Sequence, residues 1–188
     1  ASNHVMQAIS KGFIIASPLT IAGAFFQLFS SLPLGDWYTN FLQTSGVGAI
    51  LNLPLSVTSN ILALLLSFTI AYSYTQIKGK KELAVTSAII SVCAFLIVIP
   101  FSTIAVQDSV SITVNNVIPT QWLGAQGIFV AIIVSLLSTV IYLFVIEKKW
   151  TIKMPAGVPS NVATSFESLV PGILILITFI LIHVGLAM

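Results

Sequence analysis

The fold is decided by residues 124–172, which read GAQGIFVAIIVSLLSTVIYLFVIEKKWTIKMPAGVPSNVATSFESLVPG. The stretch opens with a charge-free apolar run, 124–146, that is long enough to cross a bilayer, since a crossing helix needs about 20 apolar residues. A polar connector, 147–169, follows and holds three lysines and two prolines. A second apolar run begins at Val170. This succession of span, basic connector and span is typical of a multi-pass membrane protein.

The composition of the whole chain agrees with this interpretation. Of its 188 residues, 57% are hydrophobic and 6% are charged, whereas soluble domains carry about 25% charged residues. A water-soluble fold is therefore excluded. The net charge of +2 is too small to predict nucleic-acid binding. The single cysteine, Cys93, provides neither a disulfide framework nor a metal-binding spacing.

Five apolar spans follow one another along the chain. They are 12–34, 50–77, 83–106, 124–146 and 170–188. None contains Asp, Glu, Lys or Arg, as lipid requires of a helix, and none shows the alternation of a membrane β-strand. We therefore predict an all-α integral membrane protein with about five transmembrane helices. The connector 109–118, SVSITVNNVI, is rich in β-branched residues and predicts a short strand or hairpin.

Three prolines, Pro18, Pro54 and Pro100, fall inside or at the edge of these spans. Each removes a backbone donor and should kink or end its helix. Membrane helices tolerate this when a nearby hydroxyl satisfies the freed carbonyl, and Ser17 and Thr20 flank Pro18. Two interpretations of these prolines stand at this point: a kink that serves packing, and a hinge that moves during transport.

The lysines give the orientation. All of them fall on one side of a five-span protein, and the connectors after spans one and three carry none. They are Lys11, Lys78, Lys80, Lys81, Lys148, Lys149 and Lys153. Because lysine in short loops marks the cytoplasmic face, we predict a cytoplasmic N-terminus.

A short amphipathic helix is predicted before the fifth span. Asn161 provides a helix start just after Pro159. Apolar residues then recur at helical spacing as far as Pro171, where the helix should bend into the span. Glu167 would face water or the lysine cluster.

Several short motifs resemble those of a known family, and the most specific lie between residues 141 and 172. They are Ile141-Tyr142, Lys153-Met154-Pro155-x-Gly157-Val158-Pro159, Ser165-Phe166 and Leu169-Val170-Pro171-Gly172, with Ala8-Ile9-x-Lys11-Gly12-Phe13 near the start. The chain resembles the membrane-embedded enzyme IIC component of the lactose/cellobiose/chitobiose family of the bacterial phosphotransferase system. The resemblance runs over nearly the whole chain.

The resemblance implies a function and partners. Members of that family are homodimers of the bacterial plasma membrane that take up a β-linked disaccharide, while a soluble IIB subunit, served in turn by IIA, phosphorylates it. The chain itself would then be a non-catalytic transport subunit in the lipid bilayer, without a cofactor. Residues 1–188 resemble the N-terminal scaffold half, which contacts the second protomer, so we expect the chain to be part of a longer protein.

Two ionisable residues are weak candidates for sugar binding. His183 lies inside span five, where an ionisable residue is a functional candidate by default, although a hydrogen-bonded packing histidine explains it too. Glu167 is either a surface carboxylate or part of a moving joint. Neither matches the sugar-binding motifs of the family, which belong to its other half. Cys93 has apolar neighbours, so we interpret it as structural rather than as a phosphate carrier.

The connector after span four is predicted to couple the scaffold to the sugar-carrying half and to the IIB partner. The residues assigned to this role are Lys148, Lys149, Lys153, Pro155, Gly157 and Pro159. The lysines between residues 78 and 82 are interpreted first as an anchor at the inner face. Together with Lys148, Lys149 and Lys153, a landing site for the soluble phosphate-donor subunit or for anionic lipid is the alternative. Small residues four apart in span three, Ala84/Ala88 and Ser87/Ser91, allow close packing either within the chain or between two copies.

Three other functions are open on sequence grounds. One is a non-transporting membrane scaffold or binding protein that is complete at this length. Another is a small channel, which needs polar residues along a path. An intramembrane enzyme is the least supported, because the spans hold no paired carboxylates, metal cluster or nucleophile–base set. We therefore assign no catalytic, cofactor-binding or metal-binding residue.

Overall fold

The computed structural model describes residues 3–107, 110–152 and 166–187, and within them the fold is mostly helical. The helices are α1 (His4–Ser30), α2 (Asp36–Thr44), α3 (Val47–Ser56), α4 (Leu62–Ile77), α5 (Ala84–Val98), α6 (Thr120–Leu123), α7 (Ile128–Glu147) and α8 (Leu169–Ala187). Strands β1 (Ser102–Gln107) and β2 (Val110–Asn115) form an antiparallel hairpin. Short 3-10 turns at Ser59–Ile61, Lys81–Leu83 and Ala125–Gly127 lead into α4, α5 and α7.

Four segments of the described chain are long and apolar enough to cross a membrane. They are His4–Ser30, Val47–Ile77, Lys81–Val98 and Ala125–Glu147. The apolar stretch of α8, Leu169–Gly185, is shorter than these four segments. The cytoplasmic N-terminus stays a prediction.

Helix α4 lies at the centre of the fold and packs against α1, α5 and α7. Helix α8 covers α5 and α7 from the other side. We call α4, α5, α7 and α8 the core bundle, and α1 to α3 the arm. The largest fully buried side chains of the core bundle include Phe95, Tyr142, Ile175 and Phe179.

The arm packs on α4 through small residues. Ala8, Gly12 and Ala16 recur every four residues and are all buried. A Cβ atom on Gly12 would lie 2.5 Å from Cγ1 of Ile70 in α4. The absence of a side chain at Gly12 therefore permits the close approach of the two helices.

The three prolines differ in whether the helix continues through them. Pro18 lies inside the continuous helix α1, where the Ser17 hydroxyl donates to the Ile14 carbonyl at 2.9 Å. That carbonyl is the one Pro18 leaves without a donor, so the predicted repair by a neighbouring hydroxyl is confirmed. Pro54 lies inside α3. Pro100 ends a helix, because the residue before a proline favours extended backbone and Ile99 has φ −76° and ψ 152°.

The bounds of three predicted spans need correction. The first helix begins at His4 rather than at residue 12, because the Asn3 side chain caps its start by accepting from the Val5 amide. It ends at Ser30 rather than at residue 34. The second span, 50–77, is interrupted between α3 and α4 near Thr58. The third does not continue to residue 106, because Pro100 ends it and Ser102–Gln107 is a strand.

The predicted strand or hairpin in 109–118 is present in part. Strand β2 lies in that segment, but its partner β1 comes from residues that we had assigned to the third helix. Most of the predicted amphipathic helix before the fifth span, including Asn161 and Pro159, lies outside the described residues.

Candidate functional site

The sequence-predicted coupling residues begin at the C-terminal end of α7, which lies beside the C-terminal end of α4. Both ends line one cavity of about 190 Å³. The connector from α4 to α5 adds further lysines at this end of the bundle. We call the following five exposed residues the basic end: Lys78, Lys80, Lys81, Lys148 and Lys149.

Helix α4 closes with a Schellman motif. Gly79 has the left-handed φ of 77°. Its amide donates to the Gln76 carbonyl at 2.9 Å, and the Lys80 amide donates to the Thr75 carbonyl at 3.2 Å. Glycine suits this position because it has no Cβ to clash in the left-handed conformation.

Helix α7 closes in the same way but without a glycine. Lys149 takes the left-handed position with φ 58°. Its amide donates to the Ile146 carbonyl at 3.0 Å, and the Trp150 amide donates to the Val145 carbonyl at 3.1 Å. The Trp150 ring then packs edge-on against Phe144, with 6.1 Å between ring centroids. This is the hydrophobic contact that usually accompanies such a helix end.

Two lysines of the basic end lie over aromatic rings. Lys78 Nζ is 5.5 Å from the centroid of the Tyr74 ring, and Lys148 Nζ is 5.6 Å from that of Phe144. Cation–π attraction of this kind orients a lysine side chain. Its apolar stem covers the helix surface, while its charge stays at the level of the membrane interface.

The far end of the connector is fixed to α7 by a buried hydrogen bond. The Tyr142 hydroxyl and the Ser168 hydroxyl are 2.7 Å apart, and both residues are buried. Pro171, directly after this contact, is buried as well. The connector therefore leaves α7 at Lys148 and returns to the same helix at Tyr142, about one and a half turns away.

Sequence analysis missed the pairing of Tyr142 with Ser168. A tyrosine hydroxyl in an apolar helix needs a hydrogen-bond partner, and this was the available signal. The partner could not be chosen from sequence, because many serines and threonines were equally possible.

Hydroxyl groups also join α4 to α5. Thr75 Oγ1 donates to Ser87 Oγ at 3.1 Å, and Ser91 Oγ donates to the Ser67 carbonyl at 2.9 Å. The small residues of span three at positions 87 and 91 therefore serve close packing within the chain. Hydrogen bonds between membrane helices stabilise this contact in addition to packing.

The structure does not bring the two weak sugar-binding candidates together. His183 is half-buried in α8, about 21 Å along the helix axis from its first residue. Glu167, also half-buried, lies just before that first residue. Cys93 is exposed midway along α5. Among the described residues, no group of three or more His, Cys, Asp or Glu side chains is arranged to hold a metal.

Part of the predicted coupling segment cannot be placed. Lys153, Pro155, Gly157 and Pro159 lie outside the described residues, so their role stays a prediction. Lys148 and Lys149 are exposed at the C-terminal end of α7, and their role in coupling stays a prediction as well.

The opposite end of the core bundle carries an open polar cavity of about 470 Å³. It lies where the chain enters α4 and α7. Its lining residues are Ser59, Asn60, Thr120, Gln121, Gly124, Ala125 and Gln126. Hydroxyl and amide groups of this kind can hydrogen-bond an uncharged polar molecule.

Comparison with known proteins gives the family. The model of the family "Phosphotransferase system, EIIC" matches residues 10–187. The chain belongs to this family. EIIC components are the transporter membrane subunits of these systems, so the predicted resemblance and the helical integral membrane fold are both confirmed, with the β1–β2 hairpin as the one departure from all-α among the described residues.

Individual relatives of this chain are also EIIC components or contain one. The cellobiose-specific EIIC component of Geobacillus stearothermophilus is 36% identical over 182 residues, which are 94% of this chain and 40% of that protein. The lactose-specific EIICB component of Lacticaseibacillus casei is 30% identical over 191 residues, 98% of this chain and 31% of that protein. This EIIC chain therefore spans about two fifths, or less, of the length of these relatives.

A solved structure matches the fold. ChbC, the IIC component of the N,N'-diacetylchitobiose-specific phosphotransferase system, superposes with a TM-score of 0.87 and 33% sequence identity. The match covers 98% of this chain and 43% of ChbC. At this identity the likeness extends beyond fold class to the family itself.

Proposed function

We propose that this chain is the scaffold part of a bacterial EIIC permease, which supports uptake of a β-linked disaccharide of the cellobiose, chitobiose or lactose type. The observation that carries the proposal is the match to ChbC over 98% of this chain. The proposed location is the bacterial plasma membrane, with the N-terminus and the basic end on the cytoplasmic side. A IIB partner phosphorylates the sugar, and this chain performs no chemistry.

Phosphorylation makes the uptake irreversible. A phosphate group brings about −1.5 to −2 charges at neutral pH, and a charged sugar cannot return through hydrocarbon. The scaffold must therefore hold its shape while another part of the permease moves the sugar. The hydrogen bonds from Thr75 and Ser91 that join α4 to α5 suit a rigid frame.

The arm is the proposed contact with a second copy. Helix α1 has 27 residues but buries only Ala8, Gly12, Ala16 and Gly23. Its outer part carries three exposed aromatic residues, and the Phe25 ring packs edge-on against both Phe26 and Phe29. An apolar surface of this length is suited to another protein surface as well as to lipid, and in a homodimer it would join two arms.

The connector after α7 is the proposed coupling element. Its ends are fixed by the helix end at Lys149 and by the bond between Tyr142 and Ser168. Movement of a sugar-carrying part against this frame would therefore displace the connector between its two fixed ends. A IIB partner would meet the connector beside the basic end, and the relative named EIICB is in keeping with such a partner.

A chimeric permease tests the proposal. The aligned segment of the Geobacillus stearothermophilus cellobiose EIIC would be replaced by this chain, and cellobiose uptake measured in cells that supply IIB. We expect uptake well above that of cells without a permease. A chimera that reaches the membrane in normal amounts, yet imports none of cellobiose, chitobiose or lactose, would overturn the proposal.

A further inference from the structure

The cavity between the C-terminal ends of α4 and α7 has two chemically different parts. Its wall is apolar and comes mainly from Val140, Leu143 and Phe144. Its rim is polar and comes from Lys78 and Glu147. Amphiphilic lining of this kind matches a molecule with one apolar and one polar end.

The wall belongs to the outer surface of a membrane helix. Val140 and Phe144 are 46% and 49% exposed. They continue a row of exposed apolar residues, Phe129, Ile133 and Leu137, that runs along α7 at helical spacing. The cavity therefore lies at the end of an apolar surface of α7 that no other described residue of this chain covers.

Lys78 and Glu147 balance each other at the rim itself, but the basic end around it carries excess positive charge. Lys78 lies over the Tyr74 ring, and Lys148 lies over Phe144, one of the wall residues. Neither lysine forms an ion pair within the described residues. The five lysines of the basic end outnumber the two glutamates nearby, Glu82 and Glu147.

We propose that this groove binds an anionic phospholipid. The headgroup phosphate lies beside Lys78 and Lys148, and an acyl chain runs over Val140 and Phe144. Basic pockets between membrane helices at the cytoplasmic face are suited to anionic headgroups, and the cytoplasmic leaflet supplies such lipids. A soluble acidic partner would instead contact Lys80 and Lys81, which lie in the exposed connector between α4 and α5.

Lipid titration followed by native mass spectrometry tests the headgroup contact. The chain in detergent would be titrated with phosphatidylglycerol, and separately with phosphatidylcholine. The double variant Lys78→Gln/Lys148→Gln should bind phosphatidylglycerol at least tenfold more weakly, because each lysine near an anionic headgroup is worth about fivefold in affinity. The matched variant Lys80→Gln/Lys81→Gln removes the same charge outside the groove and should lose threefold at most.

A second pair of variants tests the acyl-chain contact. Val140→Trp fills the groove and should weaken binding of phosphatidylglycerol without any change of charge. Phe129→Trp changes an exposed residue at the other end of α7 and should leave binding unchanged. The thermal midpoint of each variant would show that it remains folded.

The proposal is overturned by any of three results. Equal losses in the two lysine pairs would mean general charge attraction. Equal affinity for phosphatidylcholine would mean that the headgroup is not recognised. Unchanged binding by Val140→Trp would mean that the lipid lies elsewhere.

Discussion

Helix α4 of the core bundle and helix α1 of the arm are almost equally apolar but bury very different fractions of their residues. Helix α4 has 16 residues, of which nine are buried. Helix α1 has 27 residues, of which four are buried. Hydrophobicity therefore does not decide which surface lies inside a membrane protein.

Residue size and hydroxyl content decide it instead. All four buried residues of α1 are alanine or glycine. In α4, four of the nine are serine or threonine. Lipid tails are as apolar as leucine, so close packing and hydrogen bonds drive helices together in a bilayer. The difference between the regions predicts that small changes at close contacts matter more than the loss of large exposed side chains.

The largest effect is expected at Gly127, where the chain enters α7. A Cβ atom there would overlap the backbone carbonyl oxygen of Trp122, which cannot move aside as a side chain can. Gly127→Ala should lower the free energy of unfolding by about 2–3 kcal/mol, measured by thermal or denaturant unfolding in detergent. The control is Gly185→Ala, where nothing lies within 4 Å, and equal stability of the two variants would contradict the close contact between Gly127 and Trp122.

The contact between arm and core bundle is tested at Gly12. Gly12→Ala places a methyl group 2.5 Å from Ile70 Cγ1, which should cost about 2 kcal/mol. Higher helix propensity offsets about 1 kcal/mol of this, so a net loss of about 1 kcal/mol is expected in the same unfolding measurement. Gly172→Ala makes only ordinary contact, at 3.6 Å from Ile90, and should not lose stability. A gain in stability in both Gly12→Ala and Gly172→Ala would contradict the tight contact between Gly12 and Ile70.

Hydrogen bonding between α4 and α5 is tested with two buried serines. Ser91 donates to α4, whereas Ser138 donates to the Ser135 carbonyl of its own helix. Ser91→Ala should cost about 0.6 kcal/mol more than Ser138→Ala in unfolding experiments, because a hydrogen bond between membrane helices is worth about that much. Identical losses of unfolding free energy in the two variants would show that the hydrogen bond between α4 and α5 adds no stability.

The smallest effect is expected at the end of α7. Lys149 adopts the left-handed backbone conformation with φ 58°, which costs a residue with a side chain about 1–2 kcal/mol. Lys149→Gly should therefore raise the unfolding free energy by about 0.5 kcal/mol, after the greater freedom of the unfolded chain is included. Lys148→Gly, at φ −74°, should lower it, and the opposite order would contradict the assigned helix end.

Sequence reasoning predicted the parts of the fold that depend on local chemistry. Charge-free runs identified the helices, and Ser17 beside Pro18 identified the repaired carbonyl. The β1 strand was missed because a short apolar run such as Ser102–Gln107 cannot be told from a helix end by periodicity. The break near Thr58, a residue that lies against Gly23 of another helix, was missed because the sequence is free of charge on both sides of it.

The candidate site was predicted less completely than the fold. The exposed lysines at 148 and 149 follow from the pattern of charge, and the family follows from motifs nearby. The groove between α4 and α7 depends on two segments about 70 residues apart in sequence, because Lys78 from one and Phe144 from the other both line it. Contacts of that kind have no signature in a single sequence.

Sugar binding by the isolated chain tests the scaffold account most directly. The 188-residue protein in detergent would be titrated with cellobiose, chitobiose and lactose, and its mass measured by light scattering. We expect a dimer that binds none of the three sugars. Saturable binding of any one of them would contradict it, and would make His183 and Glu167 the first residues to substitute.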